Sequence, residues 1–230
     1  MFDKEHPYFP KDCTHCSFRR NKGLKNVFKN QDKHCDSCNN INAVIKQEKD
    51  QKELTEIIRA LPDIKPPHVE DYISHYDGMV MESPLHGKNE REENLRLAKF
   101  IVDHTGQRVY LLPRINSNTE QQLADRKKYM PPGVFDKKNP DFLIGGLLFE
   151  GKSMHKVKFT QNEDAMHSSL NNHIKSAKEQ AENFTIEVSL FIPEKRKHKT
   201  MNDYIKNSKS PKIIIIQHGN KMFIYQKPRN

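Results

Sequence analysis

The chain has 230 residues, with 39 Lys and Arg against 30 Asp and Glu and a formal net charge of +9 at pH 7. That length holds one core of ordinary size plus an appendage, and the positive excess, with a pI near 9.2, points to a polyanionic partner, nucleic acid first. A run of about 18 apolar residues, a basic amphipathic helix and a signal-peptide start are all missing, so the sequence reads as soluble and without membrane insertion.

All four cysteines fall early, as Cys13-Thr14-His15-Cys16 and Cys35-Asp36-Ser37-Cys38. Two C-x2-C turns separated by 18 residues suit the tetrahedral thiolate shell of a structural Zn²⁺. The rival reading is a pair of disulfides, which oxidising compartments favour; the absence of an export signal argues for zinc. Between the pairs lie Arg19, Arg20, Lys22, Lys25 and Lys29 around Phe18, Val27 and Phe28. Two readings of this loop stand: a phosphate-contacting surface, or a stapled mini-domain with a solvated face. Apolar residues from Ile41 to Leu61 have helical spacing, and Pro62, Pro66 and Pro67 end that pattern. The expected organisation is a zinc module with a helical extension over 1–61, a linker over 62–83 with a boundary near residue 75, and a folded domain over 84–230.

From Asn89, the residues Glu90, Glu93, Asn94, Leu97, Ala98, Ile101 and Val102 predict a helix that Gly106 stops, and a strand follows at Arg108 to Leu112. Residues 113–138 read as a loop with one short helix. Asn139 to Lys152 predicts a β-hairpin closed by Gly145-Gly146, then a helix over Ser168 to Glu182 and a strand over Thr185 to Ile192. The basic run Glu194 to Lys199 precedes a short helix around Met201 to Ile205. Lys212 to Gln217 predicts a buried strand that pairs with Met222 to Tyr225. The sum is an α/β mixed sheet flanked by helices.

The hairpin carries the chemistry. With Gly145 and Gly146 as its loop, Ile144 pairs with Leu147, Leu143 with Leu148 and Phe142 with Phe149, which sets Asp141 opposite Glu150. Opposed residues share a sheet face, so two like charges would lie roughly 5 Å apart and require a cation between them. Lys152 projects to the same face. Asp, Glu and Lys around Mg²⁺ or Mn²⁺ suit phosphodiester hydrolysis. The plain alternative is a surface hairpin with incidental charges. His155, His167 and His173 receive no role.

Pro140-Asp141 with Glu150-Gly151-Lys152, inside this element order, resembles the PD-(D/E)XK nuclease superfamily. The set Glu93 to Ala98, Gly106, Val109 to Pro113, Pro140-Asp141-Phe142, Phe149 to Lys152 and Ala177 to Ala181 is similar to the C-terminal nuclease domain of contact-dependent growth inhibition (CdiA-type) toxins. The resemblance covers about residues 84 to 228. It implies a PD-(D/E)XK nuclease domain over 84–230, with Glu93 (Glu90 in reserve), Asp141, Glu150 and Lys152 catalytic and Mg²⁺ or Mn²⁺ on Asp141 and Glu150. Structural Zn²⁺ on Cys13, Cys16, Cys35 and Cys38 stays an expectation of the cysteine spacing. Gln180 completes the site or is an exposed polar residue, and Lys195, Arg196, Lys197 and Lys199 bind backbone phosphates or are a solvated run. The family implies tRNA as substrate, a cognate immunity protein as partner, and action in the cytoplasm after delivery within an exported toxin or mobile-element protein. Alternatives are a DNA endonuclease of a phage or mobile element and a non-catalytic zinc-containing nucleic-acid-binding protein.

Overall fold

The computed structural model describes residues 49–134, 138–154, 163–188, 190, 192–207 and 212–227. The chain divides into two units, Met1–Glu53 and Leu54–Asn230. Of the first, the described part is a helical turn over 49–53 with a Lys49–Glu53 ion pair of 3.8 Å. The expected zinc ligands Cys13, Cys16, Cys35 and Cys38 lie outside the described residues. The second unit starts earlier than the expected boundary after residue 61. Its first helix, α1 over 54–59, contributes Ile58 to the core.

Among the described residues of this unit, eight strands form one mixed sheet whose spatial order follows chain order. They are β1 (Ile73–His75), β2 (Val80–Glu82), β3 (Val109–Leu111), β4 (Phe142–Ile144), β5 (Leu147–Ser153), β6 (Asn183–Glu187), β7 (Ile213–His218) and β8 (Lys221–Gln226). The pairs β2–β3, β5–β6 and β6–β7 are parallel and the others antiparallel. A parallel neighbour cannot be reached by a tight turn. The three crossovers are accordingly helical: α2 (Arg91–Thr105), α4 (Glu163–Gln180) and α5 (Glu194–Asn207), while α3 (Glu120–Tyr129) lies between β3 and β4.

The sheet has apolar side chains on both faces. One face packs Leu97, Ala98 and Ile101 of α2 against Val109, Leu111, Phe142, Ile144, Phe149, Ile213 and Ile215. The other packs Leu170, Ile174 and Ala177 of α4 and Met201 and Ile205 of α5 against Phe184, Ile186, Ile214 and Ile216. The isoleucine run of β7 therefore alternates between two cores, which is why that strand shows no polar face. A third cluster joins Tyr72, Tyr110, Leu112 and Leu143. Each fully buried Phe or Ile contributes about 1.5–3 kcal/mol of transfer free energy, so these layers dominate the stability of the unit.

Two expectations are corrected here. The stretch 62–83 is not a linker, since it supplies the 3-10 turn Val69–Asp71, β1 and β2. Asp63 accepts from Arg108 Nη1 at 2.6 Å and from the Tyr110 hydroxyl at 2.7 Å. Buried Glu82 accepts from Arg91 Nε at 2.5 Å and pairs with His75 Nε2 at 2.8 Å, which ties α2 to β1 and β2. Residues 194–199 are not a loop ahead of a short helix; they are the opening turns of α5. Lys197, four residues before Met201 and eight before Ile205, therefore falls on the buried face. Its side chain is 0% exposed, with Nζ 3.7 Å from the centre of the Phe223 ring. It is withdrawn as a phosphate ligand.

Candidate active site

The hairpin has the expected register: Phe142 faces Phe149, Leu143 faces Leu148 and Ile144 faces Leu147. Its turn needs φ > 0 at both loop positions, and Gly145 (φ 56°) and Gly146 (φ 77°) provide it. Space forbids a side chain there too. A Cβ on Gly145 would stand 2.3 Å from Leu61 Cβ, and one on Gly146 would stand 2.6 Å from Ile64 Cδ1. Gly151 is a close approach of a different kind, because its Cβ would meet the Phe142 ring at 2.6 Å and Asn94 Oδ1 at 2.9 Å.

Alternation along β4 and β5 then sets Asp141, Glu150 and Lys152 on one face. Glu150 and Lys152 stand in register with Phe184 and Ile186 of the α4–α5 core. The two acids are only 8% and 5% exposed. Asp141 Oδ2 accepts from the Gly151 N–H at 2.8 Å, and Lys152 Nζ donates to Glu150 Oε1 at 2.7 Å. Among the described residues, Glu150 Oε2 is buried and has no hydrogen-bond partner.

Electrostatics follow from that crowding. Burial pushes the Asp141 carboxyl above its ordinary value; the Gly151 N–H opposes this and the charge of Glu90 reinforces it. Glu150 is pushed up to about 8, by burial first and by the charge of Asp141 second, against the pull of Lys152. Burial works against the Lys152 ammonium, yet Glu150 and Asp141 together hold it above its ordinary value. With both carboxylates ionised, the site would carry more negative charge than the Lys152 ammonium balances, which is why the protonated forms are favoured while no cation is bound. An unpartnered carboxylate oxygen in such a place fits a divalent cation, for which Asp141 and Glu150 are hard oxygen donors.

Long-range polar contacts fix the approach to Asp141. Buried Arg126 of α3 donates from Nη1 to Asn139 Oδ1 at 2.7 Å and from Nη2 to the Lys138 carbonyl at 2.6 Å. Asn139 Oδ1 also accepts from Ile115 N at 3.3 Å, and Asn139 N donates to Gln180 Oε1 at 3.4 Å. Gln180 therefore reaches the segment just before Asp141 from the end of α4. The Asp141 carbonyl accepts from Leu112 N at 2.9 Å. On the other core face, Asn183 bridges β5 and β7, donating to the Leu148 carbonyl at 3.0 Å and accepting from Ile213 N at 3.1 Å.

The N-terminal end of α2 brings further groups. Glu90, the residue before the helix, acts through its charge on Asp141, Glu150 and Lys152, whereas the charge of Glu93 acts on His173 of α4. Both helix carboxylates thus stay candidates: the charge of Glu90 acts on the acidic pair, and that of Glu93 on His173, which also feels the charge of Lys152. His86 is buried, with Nδ1 2.7 Å from the Leu112 carbonyl and Nε2 3.2 Å from Asn94 Nδ2. A carbonyl only accepts, so Nδ1 carries the proton and Nε2 accepts from Asn94. Arg114 Nη1 donates to Glu90 Oε2 at 2.6 Å.

Of the basic residues expected to meet substrate, Lys195 is exposed, Arg196 pairs with Asp164 at 2.5 Å and Lys197 is buried. Lys199 is exposed as well. Among the described residues, His68, Glu70 and Asp71 also bring ligand atoms within 4.8 Å of one another. That group is half-buried to exposed and lacks the desolvation seen at Asp141 and Glu150. No described helix is long and apolar enough to cross a membrane. Comparison of the chain with family models, curated proteins and solved structures gave no match.

Proposed function

We propose that the chain is a metal-dependent nuclease of the PD-(D/E)XK kind, hydrolysing phosphodiester bonds in nucleic acid, with Asp141, Glu150 and Lys152 as its reactive set. The observation that carries this reading is the pairing of two desolvated carboxylates with an unpartnered oxygen, Glu150 Oε2, and one ammonium beside them. Such a pair is costly in the absence of a function or a counter-ion. When bound between Asp141 and Glu150, Mg²⁺ or Mn²⁺ would neutralise charge on phosphoryl oxygens and make a water more acidic. The chain's own groups do the rest. The Gly151 N–H orients Asp141, Glu150 orients the attacking water, and Lys152 offsets the charge on the oxygen that leaves phosphorus as its P–O bond breaks.

The positive net charge supports a polynucleotide as substrate. The toxin resemblance favours tRNA, a cognate immunity protein as partner and cytoplasmic action after delivery, and the cysteine spacing favours a structural Zn²⁺ on Cys13, Cys16, Cys35 and Cys38. The test is incubation with total tRNA and with plasmid DNA in Mg²⁺, Mn²⁺ or EDTA. Wild type should cut at least one of them with a divalent ion and neither in EDTA. Asp141→Ala should lose roughly a hundredfold or more of that activity. Wild type that cuts neither, or an Asp141→Ala protein that cuts as well as wild type, ends the proposal. Elemental analysis should find about one zinc per chain, lost on replacing Cys13 and Cys16.

A further inference from the structure

A nuclease must hold the phosphate it attacks, and the basic run expected to do so does not provide Lys197 for it. Another cation stands at the rim of the carboxylate site. Arg114 leaves β3 just after Pro113, and its backbone N–H donates to the Leu85 carbonyl at 2.9 Å. Its stem lies across Gly87, where an added Cβ would stand 2.9 Å from Arg114 Cδ, so the glycine leaves room for the arginine. The guanidinium reaches Glu90 at 2.6 Å, and the two side chains are 52% and 42% exposed. Glu90 is in turn the outer carboxylate whose charge acts on Asp141, Glu150 and Lys152. Arg114 is therefore anchored by its backbone and stem, open to solvent at its head, and one residue removed from the buried pair.

We propose that Arg114 is the residue that binds a backbone phosphate of the nucleic acid, exchanging Glu90 for phosphate oxygens as substrate arrives. This rests on the nuclease reading. A half-exposed ion pair contributes little stability, so the exchange is cheap. The planar fork of donors matches the two non-bridging oxygens that share the single charge of a phosphodiester as well as it matches a carboxylate, so the guanidinium can pass from one to the other without losing its charge-assisted bonds. Lys152, by contrast, is held by Glu150 inside the site.

The test reads binding rather than cleavage. Fluorescein-labelled bulk tRNA in one arm and a short labelled DNA duplex in the other are titrated in EDTA across a range of salt. Arg114→Ala and Arg114→Gln should each weaken binding about tenfold for whichever polymer wild type binds. Both should flatten the dependence of log affinity on log salt by about one unit. Arg114→Lys should recover part of the loss, and Glu90→Gln should tighten binding. Lys206→Ala, which removes the same charge from an exposed position on α5, serves as control. Losses at Arg114 no larger than the control's, or no binding of either polymer by wild type, overturn the proposal. Loss of binding at Arg114 in a wild type that cuts nothing supports the phosphate contact and removes only the enzymatic reading.

Discussion

Glu150 sets how the molecule should respond to pH. Its carboxyl has an ordinary value of 4.5 and is pushed up to about 8 in the fold, so the folded chain favours its protonated form. The sign follows: this contribution is full below about 4.5 and is lost as pH rises through about 8. Metal-free protein should therefore lose melting temperature between about pH 5 and 8, and Glu150→Gln should flatten that slope. On the proposed reading, in which Mn²⁺ binds the ionised pair, added Mn²⁺ should raise the melting temperature more at pH 8 than at pH 6. A slope that persists in Glu150→Gln would place the effect elsewhere. At the acid end, burial pushes Glu82 up but bonds from Arg91 and His75 outweigh it and hold it below its ordinary value. Its contribution is present above 4.5 and lost as pH falls. Lys197 is the converse case, a cation lowered by burial from 10.5 to about 8. The penalty on its charge is full below about 8 and relieved towards 10.5. Lys197→Met should thus stabilise the protein at neutral pH by at most about 3 kcal/mol, less the lost contact with the Phe223 ring, as read by chemical denaturation.

Elements differ in how far local chemistry decides them. The hairpin was legible because a Gly-Gly loop and period-two alternation fix its register without outside help, and α2 because Gly106 stops it in the left-handed region at φ 68°. β1 and β2 are three residues each, too short to show a period, and exist because β3 offers β2 a partner. The sequence shows α3 only as one short helix within a loop: its one buried residue is Arg126, a polar side chain whose partners lie eleven to thirteen positions away. Periodicity cannot foresee such bonds. It could have foreseen Lys197, whose spacing to Met201 and Ile205 is that of one helix face. The contrast is testable. Gly145→Ala should destabilise by about 1–3 kcal/mol through strain and collision with Leu61. Arg126→Ala should destabilise by about 2–4 kcal/mol by stripping the Asn139 segment of its donors, and should raise hydrogen exchange at the Leu112 amide, which donates to the Asp141 carbonyl.

At the scale of the whole molecule, composition and pattern disclosed a mixed α/β sheet between helices, and the order of elements from Asn89 onward, with α3 added. The expected linker failed because 62–83 is stitched by contacts remote in sequence: Asp63 to Arg108 and Tyr110, and the β2 strand to β3 by parallel pairing, with Glu82 held by Arg91. Proline-rich composition reports local conformation and not docking. The carboxylate face was legible from the hairpin alone, whereas its surroundings, Glu90, His86, Asn94, Arg114 and Asn139, come from segments that only tertiary structure brings near.

Because every strand lies beside its immediate predecessor in the chain, the sheet can assemble by successive addition from either end, with no segment threaded between two already joined. The longest connection is the 30 residues between β3 and β4, and the three parallel crossovers must fold their helices before neighbouring strands can pair. Diluted out of urea, the chain, with its 13 prolines, should regain its native signal in more than one phase, the slowest lasting tens of seconds and quickened by a prolyl isomerase.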